Sequence, residues 1–194
     1  MHIEQLLSFM ENVPGWFARE EGRLLSYAVL EAAMKSKSGD IVEIGAYCGR
    51  ATTVIGSAAK ASQRAKVSSI DPDESLIVGV PDVWTGLGKV AIFNQKIAAL
   101  GLDKVVTLIR KRPAEVTWTT PLCFLYIDGL HDEANVAGDF NRFIGHVEKG
   151  GCVAFHDYGN PDCPAVKNFV DSLIRAGNLV KVASEFHLII LSKA

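Results

Sequence analysis

The sequence predicts an α/β fold built on a doubly wound, mostly parallel sheet. Short apolar runs alternate with segments of helical periodicity along the whole chain, which is typical of parallel strands covered by helices on both faces. The run at 122–127 is continuously apolar, so we expect it at the centre of the sheet. A length of 194 residues suits one domain with a sizeable core.

The periodicity also predicts the order of the elements. Helices are expected near 2–11, 20–36, 50–61, 87–100 and 132–147, and Pro164 opens a last one. Strands are expected near 40–44, 66–70, 105–109, 122–127 and 152–155, with two closing strands near 179–184 and 186–192. Gly150 and Gly151 are expected to end the fifth helix. The result is a Rossmann-like sheet of seven strands with an antiparallel last strand.

We interpret residues 1–194 as a single domain, in which the amino-terminal helices (1–38) cover the site. A long segment, 72–86, separates the second strand from the next helix and contains Trp84 near its end. Loops of that length are usually functional, so we predict that this one acts as a lid.

Composition and charge argue against several classes of function. A formal net charge of −2 gives no electrostatic reason to expect nucleic acid or an anionic membrane as partner. No apolar run approaches the length of a membrane span, and the amino terminus does not look like a signal peptide. The scattered cysteines, Cys48, Cys123, Cys152 and Cys163, suggest reduced thiols in the cytoplasm. The sequence does not decide between a monomer and a homo-oligomer.

Residues 41–53 predict a cofactor site. An apolar run ends in Glu43, Gly45 and Gly49 follow, and an Ala-rich helical stretch comes next. This order describes a strand, a tight turn and a helix, with small residues where a ligand approaches the backbone. Asp71 ends the second strand, 22 residues beyond Gly49, where an acid usually holds the ribose of a nucleotide-type cofactor. Together these features indicate an adenosine-containing cofactor.

The glycine spacing favours one such cofactor over another. Tyr47 and Arg50 occupy positions that are glycine in a dinucleotide-binding turn, and the bulk of Tyr47 argues against a pyrophosphate there. The pattern instead resembles the first motif of class I S-adenosylmethionine-dependent methyltransferases. The resemblance implies that S-adenosyl-L-methionine contacts Glu43, Gly45, Tyr47, Gly49, Thr52, Asp71 and Asp128. The alternatives are a Rossmann-type NAD(P)-binding oxidoreductase, a cofactor-binding domain without catalysis, and an ordinary βα turn.

Polar residues follow four of the predicted strands where each strand ends. They are Glu43, Asp71, Asp128 and the pair His156-Asp157. Because the carboxyl ends of parallel strands share one edge of a sheet, we expect these residues to converge on a single site.

Two further motifs, at 126–132 and 150–158, resemble the small-molecule O-methyltransferases related to cephalosporin hydroxylase and macrolide sugar O-methyltransferases. The resemblance covers roughly residues 20–192. It implies a small-molecule acceptor, with His131 as general base beside a catalytic Asp128. It also implies a divalent cation such as Mg²⁺, held by Asp128, His156 and Asp157. His156 stands where better-studied members have Asp or Glu, and Mg²⁺ prefers oxygen ligands.

The chemistry requires such residues, because an alcohol is a poor nucleophile until its proton leaves. A nearby histidine or a bound cation supplies that step. Each residue also has a structural alternative. Asp128 could cap the helix that begins near 132, His131 could be a loop residue, and His156 could make one hydrogen bond at the sheet edge.

Overall fold

The chain folds into alternating helices and strands, as its periodicity predicts. The computed structural model describes residues 1–72 and 86–194. The helices are α1 (Ile3–Glu11), α2 (Arg19–Lys35), α3 (Arg50–Ser62), α4 (Gly86–Ala99), α5 (Glu133–Phe143) and α6 (Pro164–Arg175). The strands are β1 (Asp40–Ile44), β2 (Val67–Ile70), β3 (Val106–Ile109), β4 (Leu122–Ile127), β5 (Val147–Phe155), β6 (Leu179–Glu185) and β7 (Leu188–Lys193).

These seven strands form one sheet in the order β3-β2-β1-β4-β5-β7-β6. The first five pair in parallel, whereas β7 runs antiparallel to both β5 and β6. The predicted Rossmann-like, doubly wound class is therefore confirmed. The strand order reverses between β1 and β4, and ligands of open α/β sheets bind at such a switch point.

Two apolar clusters cover the two faces of the sheet. Successive side chains of a strand point to opposite faces. Phe124 and Tyr126 of β4 accordingly join the cluster that includes residues of α1 to α4, and Leu125 and Ile127 join the cluster under α5 and α6. All six β4 side chains are buried, which confirms the predicted central position of this strand.

The structure corrects the prediction for residues 132–155. Helix α5 ends at Phe143, a single 3-10 turn follows at Ile144–His146, and β5 already begins at Val147. Gly150 and Gly151 therefore lie within a strand, not at the end of a helix. The register shows how: Leu122 pairs with Val147, but Phe124 pairs with Cys152, so β5 contains a bulge between these pairs. Gly150 has a φ of +77°, a conformation that glycine adopts at little cost.

The predicted lid falls almost entirely on residues 73–85, including Trp84, which lie outside the described residues. Within the described ranges, no helix combines the length and the apolar character that crossing a membrane requires.

Candidate active site

A cavity of about 740 Å³ opens at the carboxyl edge of the parallel strands. Its volume lies in the usual range of small-molecule sites. Seven of the predicted site residues line it: Gly45, Tyr47, Asp71, Asp128, His131, His156 and Asp157. The other three, Glu43, Gly49 and Thr52, do not line it.

The turn after β1 is as tight as its glycine predicts. Gly45 has a φ of +88°, and a Cβ placed there would lie 1.9 Å from the carbonyl oxygen of Asp128. The backbones that follow β1 and β4 thus touch at Gly45, and any larger residue would push the Asp128 loop away. The next turn residue, Tyr47, also adopts a positive φ, of 48°.

Gly49 serves packing between helices. It is the N-cap residue of α3, with a φ of +88°, and a Cβ there would lie 2.9 Å from the Phe93 ring of α4. Gly49 therefore allows α3 and α4 to approach each other closely, and its contact with the cofactor stays a prediction.

Glu43 and Thr52 form a buried support behind the turn. One carboxylate oxygen of Glu43 accepts hydrogen bonds from the hydroxyls of Thr52, at 2.7 Å, and Ser69, at 2.5 Å. Burial raises the pKa of Glu43 to about 8, although the two hydroxyls oppose the shift. This triad ties β1, β2 and α3 together from inside the core.

Asp71 lies at the tip of β2 and faces the cavity. Its carboxylate accepts a hydrogen bond from the backbone N–H of Tyr47, at 2.8 Å, and forms a buried ion pair with Lys89 of α4. Lys89 also donates to the carbonyl of Pro72, at 2.6 Å. Sequence reasoning did not identify Lys89. The one available signal was a single charge in an otherwise apolar stretch of that helix.

The segment between α1 and α2 forms another wall of the cavity. Arg50 donates to the carbonyls of Val13, at 3.1 Å, and Gly15, at 3.0 Å, and so fixes this segment to α3. The rings of Trp16 and Tyr47 have centroids 5.6 Å apart. The Tyr47 hydroxyl is buried and has no hydrogen-bond partner among the described residues.

Four predicted residues at the ends of β4 and β5 come together. Nδ1 of His156 lies 3.2 Å from an Asp128 oxygen and 3.1 Å from an Asp157 oxygen. Nε2 of His131 lies 2.9 Å from the same Asp157 oxygen and 3.7 Å from Asp128. The convergence expected from the strand ends is thus present.

Asp128 does not cap α5, which was the structural alternative to a role in the site. Asp132 caps α5 instead, since its carboxylate accepts the backbone N–H of Asn135 at 3.1 Å. Asp128 accepts a hydrogen bond from the Tyr126 hydroxyl at 3.1 Å and turns towards the two histidines.

Sequence reasoning also missed Glu21, in the first turn of α2. Only 1% of its surface is exposed, and its carboxylate accepts the backbone N–H of Ala18 at 2.7 Å and of His187 at 3.0 Å. The same carboxylate lies 3.3 Å from Nε2 of His156. Local sequence gives no sign of this contact, because 135 positions separate the two residues.

The histidines and carboxylates shift one another's pKa values. The neighbouring carboxylates of Asp128 and Asp157 raise the pKa of His131 to about 9, against a smaller opposing effect of burial. Burial lowers the pKa of His156, but the charge of Asp128 and the bonds to Asp157 and Glu21 outweigh it, so the net shift is upward. Burial acts to raise the pKa values of Asp128 and Asp157, and the histidines more than reverse this.

The donor set at this cluster does not fit Mg²⁺. The predicted ligand atoms of Asp128, His156 and Asp157 are all within 4.8 Å of one another. However, Mg²⁺ requires oxygen ligands in near-octahedral order, and His156 presents a ring nitrogen between the two carboxylates. The second ring nitrogen of His156 is already engaged by Glu21.

Fold and site together define an α/β domain with a cavity lined by charged residues at the switch point of its sheet. A family model described as a methyltransferase domain matches residues 42–158, which is more than half of the chain. The chain therefore belongs to the methyltransferase-domain family, which confirms the predicted class.

Solved structures show the same fold. The O-methyltransferase NovP is 20% identical with a TM-score of 0.69, and the match covers 90% of this chain and 80% of NovP. An O-methyltransferase from Bacillus cereus, in complex with S-adenosylhomocysteine, is 14% identical with a TM-score of 0.66, over 98% of this chain and 90% of the other. TomG from Streptomyces achromogenes, an O-methyltransferase in complex with S-adenosylmethionine, is 12% identical with a TM-score of 0.66. This match covers 99% of this chain and 89% of TomG.

Proposed function

We propose that this protein transfers the methyl group of S-adenosylmethionine to a hydroxyl oxygen of a small-molecule acceptor. The observation that carries the proposal is the meeting of two groups of residues in one cavity. The turn at Gly45 and the acid at Asp71 suit an adenosine-containing cofactor, and the His131 cluster beside them suits removal of a hydroxyl proton. Membership of the methyltransferase-domain family supports the same reaction class.

The residues present fit the cofactor. Asp71 uses one lone pair for the Tyr47 N–H and another for Lys89, so its carboxylate keeps lone pairs for ribose hydroxyls. The Tyr47 hydroxyl, buried without a partner among the described residues, is available to a polar group of the ligand. When bound, S-adenosylmethionine supplies a methyl group on a positively charged sulfur, which is open to in-line attack.

The residues of this chain prepare the acceptor for that attack. His131 takes the proton from the acceptor hydroxyl, and the two carboxylates of Asp128 and Asp157 hold the imidazole in place and stabilise its charged form. The cavity walls bring acceptor and cofactor together, which removes most of the entropy cost of their encounter. The acceptor oxygen gains the methyl group while its proton resides on His131.

The acceptor is a small molecule, because the cavity is a cleft and the net charge of −2 offers no attraction to nucleic acid. The reaction belongs in the cytoplasm. All four cysteines are free thiols, as expected in a reducing compartment.

Two measurements test the proposal. Calorimetric titration should detect binding of S-adenosylhomocysteine and no binding of NADPH. A screen of hydroxyl-bearing small molecules with S-adenosylmethionine should then yield S-adenosylhomocysteine and a methylated product. Binding of NADPH alone would favour the oxidoreductase alternative, and cofactor binding without turnover on any acceptor would favour a domain without catalysis.

A further inference from the structure

His156 lies at the centre of a buried group of carboxylates at the tip of β5. Its ring is 5% exposed, with Asp128 and Asp157 at 3.2 and 3.1 Å from Nδ1 and Glu21 at 3.3 Å from Nε2. Each ring nitrogen therefore faces at least one carboxylate oxygen. A carboxylate accepts hydrogen bonds but donates none, and only the protonated imidazole carries an N–H on both nitrogens.

Glu21 fixes this arrangement from the other side. It already accepts two backbone N–H groups, from Ala18 and His187, so its carboxylate is held in one orientation by α2 and by the β6–β7 turn. The backbone N–H groups of Ala18 and His187 thus aim the carboxylate at Nε2 of His156, which lies 3.3 Å away. A glutamine at this position would present N–H groups to donors and lose part of the network.

The three carboxylates around His156 require a nearby positive charge to offset their mutual repulsion. Glu21, Asp128 and Asp157 place three carboxylates around one ring, and buried charges are tolerated only when they are paired. In metal-dependent proteins a divalent cation supplies that charge. Here Nδ1 of His156 lies within 3.2 Å of both Asp128 and Asp157, so the ring itself can supply positive charge to the two carboxylates.

We propose that His156, held by Glu21, takes the place of the divalent cation, so that this chain methylates its acceptor without metal. Glu21 is a positioning residue in this scheme, because it acts on the site only through His156. His156 supplies the fixed positive charge that keeps Asp128 and Asp157 ionised and oriented towards His131. The inference rests on the proposed function, but its tests do not require turnover.

The first test is the protonation state of His156. In the ¹⁵N NMR spectrum of the full chain near neutral pH, His156 should show the pattern of an imidazole protonated on both nitrogens. His131, whose pKa is about 9, should show the same pattern, and only the His156 signal should be missing in His156→Asn. Glu21→Gln should alter that pattern, and Glu21→Asp should restore it in part. A His156 ring with one unprotonated nitrogen would overturn the inference.

The second test is metal binding, measured by Mn²⁺ electron paramagnetic resonance on chelator-treated protein. The wild type should bind no Mn²⁺ at this cluster, and its turnover should be indifferent to EDTA. His156→Asp replaces the ring by a carboxylate beside those of Asp128 and Asp157 and should bind Mn²⁺ at least about tenfold more tightly than the wild type, about 1.4 kcal/mol. His156→Asn, which adds no carboxylate, is the matched control and should gain no comparable site.

Because His156→Asp crowds four carboxylates together, Glu21→Gln/His156→Asp is the second variant if the first does not fold. S-adenosylhomocysteine affinity, measured on each variant, reports folding and tests the proposed function separately. A wild type that retains stoichiometric metal, or that loses turnover in EDTA and recovers it with Mn²⁺, would refute the substitution of metal by His156. A folded His156→Asp chain without a new Mn²⁺ site would refute it as well.

Discussion

Lys89 of α4 and Asp71 of β2 form a buried ion pair at the edge of the cavity, with side chains 6% and 10% exposed. The pair joins the end of β2, where the ribose site is predicted, to α4, the next helix in the sequence. Breaking a buried pair by removing one partner leaves an uncompensated charge, which typically costs about 3–5 kcal/mol of stability. Asp71 is therefore a structural residue as well as a candidate ligand for ribose.

Replacing Asp71 by alanine should weaken S-adenosylhomocysteine binding by about 1.5–3 kcal/mol, the range for hydrogen bonds to a charged group. From the sequence alone, we expected the fold to tolerate this change because Asp71 ends a strand. The ion pair adds a loss of stability, since Lys89 is left buried and unpaired. Calorimetry would measure the first effect and urea denaturation the second.

The double variant Asp71→Asn/Lys89→Met separates the two roles. It removes both charges, so stability should recover relative to Asp71→Ala, while affinity for S-adenosylhomocysteine stays low. Wild-type affinity in a folded double variant would remove Asp71 from the cofactor site.

Gly45→Ala should destabilise the fold by about 2–5 kcal/mol, from a positive φ and from overlap with a neighbouring backbone. The added Cβ would lie 1.9 Å from the Asp128 carbonyl oxygen, so the Asp128 loop must move and cofactor binding should be lost. Gly45→Val should do the same more severely. Thermal and urea denaturation with S-adenosylhomocysteine titration would measure both effects.

Gly138→Ala is the matched control for Gly45, because a Cβ at Gly138 meets no atom of residues 1–72 and 86–194 within 4 Å. This glycine lies within α5, so alanine should stabilise the protein by about 0.5–1 kcal/mol. A Gly45→Ala chain as stable as the wild type would contradict the close approach of the two loops.

The turn after β1 could be predicted from sequence because its determinants are local. The strand, two glycines and the first turn of the helix lie within 13 consecutive residues, 41–53, so neighbouring residue types alone indicate the local conformation. The bulge in β5 was missed for the opposite reason. Val147 continues the apolar spacing of α5, and a glycine pair is a normal helix end, so the local signal favoured a longer helix.

Glu21 and Lys89 could not be predicted, because their roles depend on contacts across the fold. Glu21 has the position and type of an ordinary residue in the first turn of a helix. Only the three-dimensional packing brings it beside His156, and only the packing of α4 against β2 brings Lys89 to Asp71. Glu43 is the opposite case: its position near a strand end predicted a site residue, but its side chain is buried in the core and does not line the cavity.

Glu43→Gln should make stability less dependent on pH. Burial raises the pKa of Glu43 from 4.5 to about 8, so between these values the folded state binds a proton that the unfolded state releases. The stability of the wild type due to this group is therefore full below about pH 4.5 and falls as pH rises towards 8. The variant lacks this loss. The free energy of unfolding of the variant minus that of the wild type should therefore increase between about pH 4.5 and 8 and stay constant above that range.

Urea denaturation at several pH values across the window would measure this effect. Glu20→Gln, which removes an exposed carboxylate one residue before Glu21, controls for the loss of one negative charge. Parallel pH profiles of Glu43→Gln and the wild type would mean that Glu43 is ionised in the folded protein.

His131→Ala should lower turnover about 10²–10⁴-fold, the usual contribution of a general base, while affinity for S-adenosylhomocysteine stays near that of the wild type. His146→Ala is the control, because His146 lies in the turn after α5 and does not line the cavity. Steady-state kinetics on an accepted substrate and calorimetry would separate the two effects.

The pH dependence of kcat/KM tests the same assignment, because it reports the groups of the free enzyme. Asp128 and Asp157 raise the pKa of His131 to about 9, so below that pH the ring is protonated and cannot accept a proton. The value of kcat/KM should therefore rise about tenfold per pH unit towards pH 9 and level off above it. In His131→Ala, kcat/KM should be lower and should no longer rise towards pH 9. A rate that is independent of pH between 6.5 and 9, or a His131→Ala variant that keeps the wild-type profile, would show that another group removes the acceptor proton.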